Sequence, residues 1–265
     1  MKLRLSSSIF LSALTTLAFA NPSPKLYVSA FGGGGSSNNL NVSQFGTAFF
    51  IEATGGAMSI NAFGQLDNQK TSFFGAQLGY QAQQVLLPSS SQWTLGPAVE
   101  LEGYSMKKSS FNGSLINNAV RLPEHDFIVS YPMNRTVFLA NAVFNFNNSR
   151  RPVHPYIGFG IGNAIVRISD ASATQVNPPE GSLNHYNTNS SDTNSTFAGQ
   201  TKLGLSYDIN QCVSFFAEYR WLYLASTHFV FGSTVSPTHV ETSNWQVNLD
   251  AQRYNLGNVG IRLNW

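Results

Sequence analysis

The chain has 265 residues, of which 42% are hydrophobic and 13% aromatic but only 11% charged, where an average soluble domain carries about 25% charged residues. That deficit argues against an ordinary soluble enzyme, and the wealth of Phe and Tyr argues against disorder. A single cysteine excludes a disulfide framework and any cysteine-based metal cluster, and a net charge of +2 gives no case for nucleic-acid binding.

The chain opens with Lys2 and Arg4, an apolar stretch from Leu5 to Phe19, and the small-x-small triplet Ala18-Phe19-Ala20 before Asn21-Pro22. This is the layout of a secretory signal peptide over residues 1–20, leaving residues 21–265 as the working domain. Without Lys2 and Arg4 the 15 basic residues fall to the number of acidic ones, 13, so the surplus charge belongs to the export signal. After Ala20 no apolar run reaches the length of a membrane-spanning helix, about 20 residues.

Segments with period-2 alternation follow instead, each with one apolar parity and one small or polar parity, as a sheet with one greasy and one polar face requires. In chain order they are Lys25 to Gly33, Phe73 to Gln81, Trp93 to Met106, Thr136 to Phe146, His154 to Ile168, Thr196 to Asp208, Val213 to Ala225 and Ala251 to Trp265. In the third, Trp93, Leu95, Pro97, Val99 and Leu101 share a face opposite Glu100 and Glu102. In the seventh, Phe215, Ala217, Tyr219, Trp221 and Tyr223 oppose Ser214, Glu218 and Arg220, with Phe216 an apolar exception.

The connections alternate between short and long. Asn147 to Pro152 and Ile209 to Cys212 are short, and Ala82 to Gln92 is intermediate. Gly34 to Ser72, Lys107 to Arg135, Ser169 to Ser195 and Ser226 to Asp250 are long and rich in Asn, Ser and Gly. That rhythm predicts an all-β, antiparallel, eight-stranded up-and-down transmembrane β-barrel with tight periplasmic turns and long outer loops. Tyr80, Trp93, Tyr207 and Trp265 sit at strand ends where an aromatic girdle belongs. A second reading has ten strands, because Gln44 to Glu52 and Met58 to Leu66 have the pattern of an extra hairpin. The run Gly32 to Gly35 is expected to release the backbone from the first strand into the first loop.

The closing run Asn258 to Trp265, with Val259, Ile261, Leu263 and Trp265 on one parity, resembles the last strand of bacterial outer-membrane proteins. Together with Lys25-Leu26-Tyr27-Val28, Gly75-Ala76-Gln77-Leu78-Gly79-Tyr80 and Phe216-Ala217-Glu218-Tyr219-Arg220, it makes the chain similar to the eight-stranded opacity/OmpX/OmpA-barrel type. The resemblance implies a location in the outer membrane and contact with its lipid and lipopolysaccharide. It also implies that the barrel assembly machinery reads Val259, Ile261, Leu263 and Trp265 as a signal. Nothing resembling the peptidoglycan-binding module of OmpA-type proteins follows Trp265.

An eight-stranded lumen is filled by side chains, so charged residues of inward parity are expected to pair. Counted from the periplasmic ends, Glu100, Lys202, Glu218 and Arg220 fall at similar heights, with Glu102 above and Arg262 below. They are expected to form a plug of ion pairs, the alternative being a narrow water-filled passage. No catalytic, cofactor or metal site is expected. The five histidines lack the His-x-Ser pattern associated with lipid A deacylases, and His125-Asp126 is the only adjacent Asp-His pair of the kind omptin-like proteases need. Cys212, at a tight turn, is expected to be half-buried.

Three functions follow: a surface scaffold whose loops contact a host or cell-surface ligand, a small pore for small or hydrophobic solutes, or, least supported, an outer-membrane enzyme. The expected state is a monomer.

Overall fold

In a computed structural model the protein is described at residues 19–20, 25–50, 56–87, 92–117, 126–148, 150–177, 179–181, 183–237 and 240–265. Of the expected leader only Phe19 and Ala20 are among the described residues, and Glu52 and His125 lie outside them.

Eight strands carry the barrel: β1 (Lys25–Ser37), β2 (Lys70–Gln81), β3 (Trp93–Asn117), β4 (Asp126–Asn148), β5 (Val153–Ile168), β6 (Asp192–Asp208), β7 (Val213–Leu224) and β8 (Gln252–Asn264). Each pairs antiparallel with the next, and β8 returns to β1. The ring therefore closes at eight and leaves no free edge. At the seam Trp265 and Leu26 exchange backbone hydrogen bonds of 3.0 and 3.2 Å.

Over the lower part of the wall the outward residues are apolar, with Phe74 71% and Leu101 66% exposed, while inward residues such as Gln77, Glu102, Asn141 and Gln200 are polar and buried. A barrel built this way is stable only with hydrocarbon around it.

The upper part departs from the expected loops. β3 and β4 continue through most of the stretch Lys107 to Arg135, pairing from Ser109↔Met133 to Leu115↔Phe127 after a register shift at Lys107 and Lys108. Here the sidedness inverts. Phe111, Leu115, Phe127, Val129, Tyr131 and Met133 point inward and are buried, while Lys107, Lys108, Asn112, Ser114 and Asn134 are exposed. These segments look loop-like in the sequence because their apolar parity is the wrong one for a lipid-facing strand.

The hairpin anticipated in the first long connection forms, as Leu40–Phe50 and Gly56–Leu66. It does not enter the ring. Its second strand pairs with the top of β3, and its first pairs with Trp245–Leu249, which pairs in turn with Thr227–Phe231. Ser172–Asn177 lies against the top of β4. These strands enclose an apolar core that includes Leu40, Ile60, Leu66, Phe127, Phe231 and Trp245.

Two smaller expectations need correction. Gly32 to Gly35 stay within β1, paired on both sides, because a Cβ at Gly33 or Gly35 would press on the backbone of β8 at Gly257 or Asn255. Cys212 is exposed. Asn210 Oδ1 accepts the backbone N–H groups of Cys212 and Val213 at 2.8 and 2.9 Å, and the tight turn so formed leaves the thiol outside.

Candidate functional site

The six ionic residues of inward parity come from four strands: Glu100 and Glu102 from β3, Lys202 from β6, Glu218 and Arg220 from β7, and Arg262 from β8. The structure brings all six together in the lumen, buried, three carboxylates against three cations. Lys202 Nζ binds Glu100 and lies 3.5 Å from Glu102 and 3.6 Å from Glu218. Arg220 binds Glu102 through Nη1 and donates from Nε to Glu218 at 2.8 Å. Arg262 sits 3.6 Å from Glu100. The side chains of Lys202, Arg220 and all three glutamates are 0% exposed.

Neutral neighbours that the sequence reading passed over complete the network. Tyr27 donates to Glu100 at 2.6 Å and Tyr156 to Glu218 at 2.8 Å. Asn141 donates to Glu102 at 3.2 Å and Asn258 to Glu218 at 3.1 Å. Their parity is the signal that marks them, since each alternates inward with the same period as the charges. Both tyrosines reach their partners because their rings lie over glycines: a Cβ at Gly79 would overlap the Tyr27 ring and one at Gly204 the Tyr156 ring. Above the network the Arg220 guanidinium lies 4.2 Å from the centre of the Phe31 ring, a cation–π contact in a desolvated setting.

Higher still, Arg135 is buried and donates to Gln252 Oε1 at 2.9 Å. It marks the level at which the polar lumen gives way to the apolar cap. In the cap Tyr186, from the stretch between Ser172–Asn177 and β6, donates to Gln44 at 2.5 Å and lies 2.9 Å from the Tyr131 hydroxyl. Burial pushes the Tyr186 phenol well above the ordinary tyrosine range, the neighbouring Tyr131 adding to the effect. Trp245 meets Phe127 and His185 edge-on and donates to Thr234 at 2.9 Å.

The proposed assembly residues Val259, Ile261, Leu263 and Trp265 all face outward and are exposed. Asp126, the described half of the His125-Asp126 pair, opens β4 on the cap, remote from the charged network.

A closed antiparallel barrel, greasy outside, ionic within and carrying a strand-built cap at its upper end, is the construction of a bacterial outer-membrane β-barrel protein. Residues 106–265 match the model of the surface antigen family, and the chain belongs to that family. No curated protein matches it. Among solved structures it is similar to the outer membrane protein OprG of Pseudomonas aeruginosa, at 12% identity over 92% of this chain and 96% of that one, with a TM-score of 0.44. Neisserial surface protein A gives 15% identity over 90% and 96%, with a TM-score of 0.34. The outer membrane protease OmpT of Escherichia coli gives 9% over 95% and 99%, with a TM-score of 0.37. Likenesses this distant transfer no activity.

Proposed function

We propose that the protein is a non-catalytic, non-conducting scaffold of the outer membrane that holds a rigid extracellular cap for contact with ligands of a host or neighbouring cell. The observation that carries this reading is the stacking of two seals in one lumen: an ionic network of fully buried side chains, and above it a packed apolar core. An open channel needs a continuous polar, hydrated path, and neither layer offers one. The pore reading is therefore the weaker. The test is single-channel recording of the refolded protein in a planar bilayer: a silent membrane is expected, and discrete current steps that scale with salt would overturn the proposal.

Delivery to the membrane follows from the two ends of the chain. Residues 1–20 act as the export leader and residues 21–265 form the barrel domain, inserted as a monomer among outer-membrane lipid and lipopolysaccharide. N-terminal sequencing of protein recovered from outer membranes is expected to begin at Asn21. A start at Met1 would refute the leader.

A further inference from the structure

At the turn end, below the ionic network, the lumen opens into a cavity of about 350 Å³ whose lining includes Lys25, Asn147, His154, Asp208, Ser214 and Arg262. Arg262 forms part of its inner wall. Its side chain is only 6% exposed, and its guanidinium is held 4.3 Å from the centre of the Tyr27 ring. Yet Nε and Nη2 have no hydrogen-bond acceptor among the described residues, and neither does Asn147 Nδ2. The Glu100 oxygen at 3.6 Å from Nη2 balances charge without closing a hydrogen bond. Buried donors left in this way call for a partner.

The cavity's one carboxylate and its imidazole are already engaged. Asp208 takes the Ser214 hydroxyl at 2.8 Å and faces His154 Nε2 at 3.2 Å. His154 Nδ1 in turn accepts the Asn148 backbone N–H at 3.3 Å. The cavity thus offers donors and positive charge while its carboxylate is occupied elsewhere. A guanidinium presents parallel N–H groups matched to two oxygens on one atom, which a carboxylate or phosphate supplies and a halide does not.

We propose that this cavity is an oxyanion-binding site, open toward the periplasm, in which Arg262 and Asn147 donate to a carboxylate or phosphate group and Lys25 attracts it at the rim. The site is independent of the scaffold reading, because it lies below the seal and needs no passage through the barrel.

The test is isothermal titration of the refolded protein in micelles with inorganic phosphate, acetate or chloride at matched ionic strength. A single saturable site for phosphate or acetate is expected, weakened about tenfold or more when a charge-assisted donor is lost in Asn147→Ala or Arg262→Lys. Asn147→Ala lies outside the ionic network, so it reports even if Arg262→Lys fails to fold. Lys25→Gln is expected to weaken binding at low salt and less at high salt. Preference for phosphate assigns the site to free phosphate or a phosphate monoester, and preference for acetate to the carboxylate of an acidic peptide. Heats that do not saturate with either oxyanion, equal binding of chloride, or affinities unchanged in Asn147→Ala would each overturn the proposal.

Discussion

Among single residues, Arg220 joins the ionic network to the aromatic side chains above it. It binds Glu102 and Glu218 at once and lies over Phe31. Three carboxylates and three cations leave the network formally neutral, so removing one cation strands a buried negative charge. Breaking a buried pair from one side costs about 3–5 kcal/mol, even where replacing the whole group by apolar residues costs little. Arg220→Ala is therefore expected to lower the temperature at which the folded band of an unboiled gel sample converts to the unfolded one. An unchanged conversion temperature would show that water already fills the lumen at that height. Six ionic residues of this network stand out in the sequence because charge is rare in this chain. Tyr27, Tyr156, Asn141 and Asn258 do not, because nothing but parity separates them from residues that face lipid.

At the level of the element, the same alternation is read with opposite sign on the two sides of the membrane boundary. Below it, Phe138, Ala140, Ala142 and Phe144 of β4 face out while Arg135, Asn141 and Asn145 face in. Above it, Phe127, Val129, Tyr131 and Met133 of the same strand face in. The eight membrane-crossing segments were legible because their outward parity is greasy. The upper continuations of β3 and β4 were not, because a strand with polar residues outward and Asn, Ser and Gly between apolar ones has the composition of a loop. The shift at Lys107 and Lys108 adds to this by breaking the even-numbered inward parity that carries Glu100, Glu102, Tyr104 and Met106. If the cap is a packed unit, its centre should be sensitive on its own. Trp245→Ala, at a fully buried position, removes a large core side chain of the kind whose loss costs about 3–5 kcal/mol. The expected result is cleavage of the outer strands by proteinase K with the barrel still migrating as folded. Protection equal to the wild type would mean that the cap does not depend on its core.

For the molecule as a whole, closure of the ring joins the first and last strands, so the barrel cannot be complete until Trp265 meets Leu26. Trp265 itself packs nothing inside and is exposed on the outer surface. Trp265→Ala, which keeps the backbone bonds to Leu26, should therefore leave detergent refolding close to wild type, while the amount assembled in the outer membrane of living cells falls. Equal loss in both settings would make the residue structural rather than a recognition signal.

The inverted upper wall also bears on how a surface antigen of this shape is seen by antibodies. Only every second residue of the upper β3 and β4 reaches the outside, and its exposed neighbours belong to the adjoining strand rather than to the adjoining position in sequence. Epitopes on this wall are consequently patchworks drawn from several strands. Antisera raised against continuous peptides confined to 109–117 or 126–133 are expected to stain the denatured chain and miss the intact cell. The outward positions lie outside the apolar core, so substitutions there are expected to cost the fold little.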